Sequence, residues 1–471
     1  MNAKPPASGR PRTGEYRPTT APRAETEVPR DAAAGLPPAA SFGELGLPPE
    51  LLTELTGLGV TEPFPVQAAT LPNALAGRDV LGRARTGSGK TLAFGLALLA
   101  RTAGRRAESK RPLALVLVPT RELAQQVGDA LAPYARALDL RLGTVVGGVS
   151  MNRQTALLRT GVEVLVATPG RLTDLVSRRE CHLNHVRITV LDEADQMCDL
   201  GFLPQVSQIL DQVRADGQRL LFSATLDQGV DQLVRDHLHD PVLASVDRAA
   251  ASVTTMEHHV LTVHGADKYA TATEIAARDG RVLMFLDTKA GVDQFTRHLR
   301  ASGVQAAALH SGKSQPQRTH TLGRFKSGEL TVLVATNVAA RGIHIDDLDL
   351  VVNVDPPADS KDYLHRGGRT ARAGESGRVV TLVTAGQRRE VNRMMSDAGI
   401  RPTVTQVRSG EAALTAITGA RRPPTETKKT GNAPFRGMGT RPGRPGKESR
   451  KAADARKAAE ARAAARVRKS R

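Results

Sequence analysis

The chain has 471 residues, enough for two or three domains with sizeable cores, and its 66 Lys and Arg against 48 Asp and Glu give a net charge of +18. With two cysteines, Cys181 and Cys198, a disulfide framework is excluded and a reducing compartment, the cytoplasm, is expected. No apolar run approaches the ~18 residues of a membrane span, and the Pro- and Arg-rich start lacks the apolar segment of a secretory signal, so no membrane association is expected.

Residues 1–41 are rich in Pro, Ala and Arg without apolar periodicity, which predicts a disordered tail. From 42 to 245, apolar runs at 79–81, 113–118, 162–166, 188–191 and 220–222 alternate with helix-like stretches. The Ala- and Ser-rich segment 246–254 reads as a linker. A second set of runs follows within 255–408, at 282–286, 306–309, 332–334, 350–354 and 379–383, with His258-His259 at the edge of that domain's first strand. Near-continuous aliphatic and β-branched runs separated by helices mark strands buried on both faces, hence two α/β domains built on parallel sheets. From 409 to 471 the pattern is lost. Within this tail 425–447 is loop-like, while the Ala-rich 448–468 has helix propensity without an apolar stripe and predicts a marginal helix. Residues 421–471 hold 17 basic and 4 acidic side chains, or +13, which leaves +5 for the first 420 positions. Such a tail is expected to meet nucleic acid through phosphate contacts. Aromatics make up 3% of the chain and Trp is absent, so nucleic acid would be gripped by its backbone rather than by base stacking.

Ligands of open α/β sheets sit beyond the carboxyl ends of the strands, and the polar clusters fall there. After the run at 79–81 comes Ala84-Arg85-Thr86-Gly87-Ser88-Gly89-Lys90-Thr91, leading into an apolar helical stretch. This pattern is a phosphate loop with Ala84 in place of its first glycine. The glycines let backbone N–H groups converge on phosphates, Lys90 brings a charge to the β- and γ-phosphates, and Thr91 offers a hydroxyl to Mg²⁺. A turn that merely starts a helix is the alternative, and the strand before and helix after weigh against it. The run at 188–191 ends in Asp192-Glu193-Ala194-Asp195. Asp192 is placed to hold Mg²⁺ and Glu193 to polarise the water that attacks the γ-phosphate. A solvated acidic turn would look the same in isolation; paired with a phosphate loop, the residues point to nucleotide hydrolysis.

Asp192-Glu193-Ala194-Asp195 spells the DEAD box, and over about 42–408 the chain resembles the DEAD-box ATP-dependent RNA helicases of superfamily 2. Its Ala-, Arg- and Gly-heavy composition is similar to that of a bacterial member. The resemblance implies two tandem RecA-like domains with a disordered N-terminal and a basic C-terminal tail, ATP and Mg²⁺ at a cleft, and RNA held with little sequence specificity. Phe42 and Pro63-Phe64-Pro65-Val66-Gln67 resemble the adenine-recognising Q motif. Pro119-Thr120-Arg121, Gly147-Gly148 and Thr168-Pro169-Gly170-Arg171 are similar to the family's first-domain RNA contacts. Ser223-Ala224-Thr225 resembles the element that, with Asp195, links hydrolysis to unwinding. In the second domain Gln315 and Arg318 match a Q-x-x-R element, while Thr336, Arg341 and Gly342 are similar to further RNA contacts. His365-Arg366-Gly367-Gly368-Arg369-Thr370-Ala371-Arg372 resembles the last motif. By that resemblance His365 and Arg366 couple the domains, Arg369 approaches the γ-phosphate and Arg372 is the arginine finger. The implied activity is RNA-stimulated ATP hydrolysis coupled to local, non-processive unwinding of short duplexes; with no coiled coil or apolar patch to predict an oligomer, a monomer is expected.

Several positions depart from the pattern. Val60 stands where an aromatic ring is usual, Phe64 replaces a Thr, Asn337 and His344 replace aspartates, and Gly367 and Ala371 replace the common Ile and Gly. Loss of a ribose-facing carboxylate at His344 is expected to weaken nucleotide coupling by one hydrogen bond, ~1–3 kcal/mol if buried. The irregular spacing of Cys181, His182, His185 and Cys198 argues against a zinc site. Two other functions stay open at this point: an RNA chaperone or annealing scaffold with a vestigial ATPase, and a DNA-directed helicase.

Overall fold

The computed structural model describes residues 35–84, 87–245, 256–340, 348–370 and 377–424. The expected linker, the tail from 425 with its helix at 448–468, and the start before residue 35 lie outside them, as do Arg85, Thr86, Arg341, Gly342, His344, Ala371 and Arg372. The chain divides into two compact units, 1–247 and 248–471.

The first unit carries strands β1 (Val80–Arg83), β2 (Ala114–Leu117), β3 (Leu142–Val145), β4 (Val164–Ala167), β5 (Ile188–Asp192), β6 (Gln218–Ser223) and β7 (Val242–Ser245). They form one sheet in the order β3-β4-β2-β5-β6-β1-β7, and every neighbouring pair is parallel. All carboxyl ends therefore lie along one edge, and the loops that leave them are brought together whatever their separation in the chain. Helices cover both faces, which is why β2, β4, β5 and β6 are buried at every position. Gly82 in β1 is small for a steric reason: a Cβ there would lie 2.6 Å from Cδ1 of Phe222, whose ring sits 5.5 Å from that of Phe94.

The second unit repeats the architecture with β8 (Met256–Thr262), β9 (Val282–Phe285), β10 (Ala306–Leu309), β11 (Val332–Ala335), β12 (Leu350–Asn353), β13 (Gly377–Val383) and β14 (Thr403–Gln406). Their order is β10-β11-β9-β12-β13-β8-β14, again parallel throughout.

Besides the interior strand β8, anticipated only through His258-His259, three strands fall outside the apolar runs, and these three are edges: β3, β7 and β14. An edge strand buries less, so its residues need not be apolar; in β14 three of four positions are exposed. Two boundaries also move. Residues 35–41 do not belong to a disordered start, since the Leu36 N–H donates to Asn73 Oδ1 at 3.0 Å and the Ala39 N–H to the Ala68 carbonyl at 3.0 Å. The second unit runs past 408: helix Ala412–Thr418 buries Leu414 completely, Ala420 is 3% exposed, and both join the core around Val407 and Leu261. That helix has one fully buried large residue, Leu414, with Ile417 packed only partly against the core, too weak a stripe to register as periodicity.

Candidate functional site

Four chain segments meet at the carboxyl ends of β1, β5 and β6. The phosphate loop leaves β1 and turns into helix Lys90–Thr102, with Gly89 at φ +90° as its N-cap, a conformation that favours glycine. Buried Ala84 donates its N–H to the Ser223 carbonyl at 3.1 Å, which ties the loop to the end of β6; Gly87, Ser88 and Thr91 are half-buried. Lys90 Nζ stands 3.0 Å from Glu193 Oε1, both side chains almost wholly buried. Burial opposes the Lys90 charge, but Glu193, Asp192 and Asp195 outweigh it and raise its pKa. Burial raises the pKa of Asp192, whose Oδ1 accepts from the Glu193 N–H at 3.0 Å, against the pull of Lys90. Glu193 itself adopts φ +54°, ψ +51°, a left-handed conformation strained for a side chain of this kind.

Asp195 is fully buried and works as a hub. Its Oδ2 accepts from the N–H and the hydroxyl of Thr225, both at 2.9 Å, and its Oδ1 from the Gln196 N–H at 2.9 Å. The Ser223 hydroxyl accepts from the Asp195 N–H at 3.2 Å and donates to the Thr225 carbonyl at 2.7 Å. The cluster holds three carboxylates and one ammonium. A divalent cation would supply the missing positive charge, and the oxygens of Thr91 and Asp192 are the hard donors that Mg²⁺ takes. Among the described residues no group of three His, Cys, Asp or Glu could hold a metal by itself, so such a cation would take most of its ligands from phosphate and water.

Gln67 is 1% exposed. Its Oε1 accepts from the Phe64 N–H at 2.9 Å and its Nε2 donates to the Gly89 carbonyl at 3.1 Å, so the amide clamps the start of helix Pro65–Leu75 to the phosphate loop. Half of its hydrogen-bonding capacity is thereby committed. Phe42, expected beside the nucleotide, is 4% exposed and packs into the core with Leu47 and Leu51. Phe64, by contrast, is 54% exposed.

The expected RNA contacts of the first unit gather at the ends of β2, β3 and β4, which are neighbours at one side of the sheet. Pro119 is buried, and the Thr120 hydroxyl caps helix Arg121–Ala137 by accepting from the Leu123 N–H at 3.2 Å. The Arg121 guanidinium lies on Gly147 and Gly148: a Cβ on Gly148, at φ +73°, would stand 2.1 Å from Arg121 Nη1. Arg171 Nη1 donates to the Val149 carbonyl at 2.9 Å, Thr168 and Pro169 are buried at the start of the helix that carries it, and Gly170 is exposed. Two arginines thus flank the exposed loop at 147–150. Gln154, which motif reading missed, holds that loop from below: it accepts from the Val146 N–H at 2.8 Å and donates to the carbonyls of Val146 and Val149. Its signal, one glutamine in a helix, is invisible in a single sequence.

In the second unit Thr336 is buried after β11, its N–H donating to the Leu309 carbonyl at 3.2 Å, and Arg318 Nη2 reaches the Ala339 carbonyl at 3.3 Å. Arg366, expected to couple the domains, is held within the second unit. It is 3% exposed, donates from Nη1 to Asn353 Oδ1 at 3.1 Å and to the Asp355 carbonyl at 2.9 Å, and lies 4.9 Å from the Phe285 ring centroid. Asn353, Asp355 and Phe285 carry no motif signal because they read as ordinary strand ends. Asp355 is fixed in turn by Lys268 Nζ at 2.7 Å. Arg369 is 3% exposed and donates from Nε to the His365 carbonyl at 3.2 Å; His365 is half-buried.

Residues 64–233 match the family model described as DEAD/DEAH box helicase, and residues 267–374 match the helicase conserved C-terminal domain. DEAD-box ATP-dependent RNA helicase 30 of Arabidopsis thaliana is 40% identical over 379 residues, covering 78% of this chain and 64% of that protein. The chain therefore spans just under two thirds of that relative's length. DEAD-box ATP-dependent RNA helicase 20 of Oryza sativa subsp. japonica is 38% identical over 393 residues, 82% of this chain and 80% of that one. Among solved structures, S. cerevisiae Dbp5 bound to RNA and ADP BeF3 aligns with a TM-score of 0.73 at 28% identity, over 81% of this chain and 99% of that chain.

Proposed function

This chain belongs to the DEAD-box ATP-dependent RNA helicase family, and from that premise we propose that it is an RNA-stimulated ATPase that unwinds short RNA duplexes locally. One observation carries the reading: a phosphate loop with a buried Lys90–Glu193 pair and the Asp195–Ser223–Thr225 hub occupy one half of a sheet edge, while Arg121 and Arg171 flank an exposed loop on the other half. In this reading Lys90 neutralises charge on the β- and γ-phosphates, Glu193 takes the proton of the attacking water, and the γ-phosphoryl group leaves ADP. Mg²⁺, held through Thr91 and Asp192, would screen the phosphates and polarise the bond that breaks. From the second unit, Arg369 and Arg372 add positive charge as the γ-phosphate separates. The hub gives the hydrolytic carboxylates a rigid link to the end of β6, so that a change at the γ-phosphate reaches Thr225 through two hydrogen bonds to one carboxylate.

RNA binding is assigned to Thr120, Arg121, Gly148, Thr168, Gly170 and Arg171, with Thr336, Arg341 and Gly342 in the second unit. Their donors suit phosphates rather than base edges. The basic tail adds a salt-sensitive tether to RNA, and the chain acts as a monomer. A cytoplasmic location agrees with two free cysteines and with the absence, among the described residues, of any helix long and apolar enough to cross a membrane. The relatives above come from a flowering plant and a cereal, and they lend no support to a bacterial type.

Steady-state ATP hydrolysis at about 100–150 mM salt, near physiological screening, tests the reading with no nucleic acid, single-stranded RNA or matching DNA. Stimulation by RNA alone, abolished by Glu193→Gln, is the expected result. Equal stimulation by DNA would redirect the substrate. No hydrolysis, with RNA binding unaffected by the substitution, would leave a binding protein.

A further inference from the structure

Along the chain the first unit is electrically balanced: residues 42–245 hold 21 basic and 22 acidic side chains. The fold separates them. Segments 101–111, 136–141, 159–163 and 178–187 lead into β2, β3, β4 and β5, which are neighbours in the sheet. All four segments therefore lie on its amino edge, opposite the edge that carries the phosphate loop. They hold 11 basic and 4 acidic residues, or +7, which leaves −8 for the rest of the unit. Ion pairs join them into one rim: Arg106 to Asp139, Arg141 to Glu163 at 2.6 Å and Lys110 to Glu180 at 2.8 Å. With Glu108 held by Arg111 at 2.6 Å, every carboxylate of the rim is taken.

Helix ends do not account for this charge. Helices Lys90–Thr102, Arg121–Ala137, Met151–Arg159 and Pro169–Ser177 finish at the rim, each presenting about half an elementary negative charge. Arg101, Arg136, Arg159 and Arg178 stand at those ends and suffice to offset it. Arg105, Arg179 and Arg187 lie in the loops beyond, exposed and paired with no carboxylate among the described residues. The backbone points the same way. Lys110, Asp139 and Arg179 adopt φ of +62°, +53° and +60°, three of the five non-glycine residues with left-handed backbone among the described residues. Asp139 and Arg179 each follow a helix C-cap, where glycine is usual, so charged side chains are kept there at a conformational cost.

We propose that this rim is a second RNA-backbone site, which holds the single-stranded flank of an RNA bound at the carboxyl edge of the same sheet. The inference rests on the RNA-binding reading and extends it. Three observations favour RNA over an acidic protein. At their other ends β2, β3 and β4 carry Arg121, the loop at 147–150 and Arg171, and only about 13 Å of four-residue strand separates the two edges. Ten of the eleven cations are arginines, whose planar fork matches phosphate. The large apolar side chains exposed on the described surface, Leu36, Leu58, Phe64 and Val404, all lie outside the rim, whereas a protein interface is built around an apolar centre.

Two single-stranded RNAs test this on the full chain: one just long enough for the carboxyl edge, and the same sequence extended at both ends. Arg105→Gln, Arg179→Gln and Arg187→Gln combined should leave affinity for the short RNA within about twofold and weaken the extended RNA about tenfold. For the extended RNA the slope of log affinity against log salt should fall by ~2, at ~0.7 for each of three phosphates. Arg179→Gly removes one of these charges and relieves the left-handed backbone, so it should melt no lower than the unaltered protein yet bind the extended RNA more weakly. Equal losses for both RNAs in variants that melt normally would show a general field effect, and an unchanged extended RNA would show an idle rim. Either result overturns the proposal while the RNA-binding reading stands. Protection of 103–112 and 178–187 from hydrogen exchange by poly-glutamate, and not by the extended RNA, would assign the rim to an acidic protein and overturn it as well. If the unaltered chain binds neither RNA, both readings fall together.

Discussion

Replacing Asp195 by Asn keeps the shape of the hub and removes its charge, so the consequence can be worked out atom by atom. Among the described residues the carboxylate accepts two hydrogen bonds from Thr225 on Oδ2 and one from Gln196 on Oδ1, and Asp195 is 0% exposed. An amide has one acceptor oxygen. Turned toward Thr225, it retains two bonds and presents its NH₂ to the Gln196 N–H, so one bond to a charged group is lost, ~1.5–3 kcal/mol. The two retained bonds become neutral and weaker, and relief of repulsion from Asp192 and Glu193 offsets part of the loss. The net expectation is ~2–3 kcal/mol of destabilisation in the first unit. At ~2–4 °C per kcal/mol for a unit of this size, the melting temperature falls by about 4–12 °C. Differential scanning of the full chain measures it, with hydrogen exchange of peptides containing Thr225 assigning the transition to the first unit. Thr225→Val, which deletes the hydroxyl donor alone, completes a double-mutant cycle whose expected coupling is ~0.5–1.5 kcal/mol, as for residues in direct contact. A fall of less than about 2 °C, or strict additivity, would refute the view that this carboxylate holds the strand ends together.

Three further expectations follow from the same geometry. Glu193→Gln should lower kcat by about 100-fold or more with ATP affinity changed only a few-fold, checked by steady-state hydrolysis alongside calorimetric binding. Gly148→Ala places a Cβ 2.1 Å from Arg121 Nη1 at φ +73°; it should displace that guanidinium and lower the slope of log affinity against log salt for single-stranded RNA by ~0.7, one phosphate contact. Burial disfavours the ionised form of Glu163, but Arg141 and the N–H groups of Ala107 and Arg141 outweigh it and hold the carboxyl down at about 2, against an ordinary 4.5. A depressed carboxyl contributes stability that is present above 4.5 and lost as the pH falls toward about 2. The difference corresponds to ~3 kcal/mol before screening, and because Arg141 is 47% exposed the expected loss is ~1–2 kcal/mol. Urea titrations at pH 5 and pH 2.5, repeated with Glu163→Gln, should show the pH-dependent difference shrink in the variant.

Much of the site was legible in the order of residues. A phosphate loop needs contiguous backbone, so Gly87, Gly89 and Lys90 announce it together, and Asp192 to Asp195 stand where a buried strand must end. These signals are local because the chemistry is local. The central strands were legible for a related reason: burial on both faces demands unbroken apolar runs, as in β2, β4 and β5. Edge strands escaped because only one flank is paired and polar residues are tolerated there. The helix at Ala412–Thr418 escaped because its contribution to the core is mainly one leucine.

The amino-acid sequence alone determined the fold class, the phosphate loop and the acidic strand end, since periodicity and short-range spacing are properties of the chain itself. Only the tertiary structure decided which side chains face which ligand. It buried Phe42 and Arg366, made Gln67 a clamp between Phe64 and Gly89, and left Phe64 in solvent at the loop. It also recruited Gln154, Asn353 and Asp355, none of them part of a motif, to hold the loops and the arginine that matter. The physical reason is that a parallel sheet gathers its carboxyl ends from segments tens of residues apart, so the partners of each polar group are chosen by strand order, which spacing along the chain does not encode.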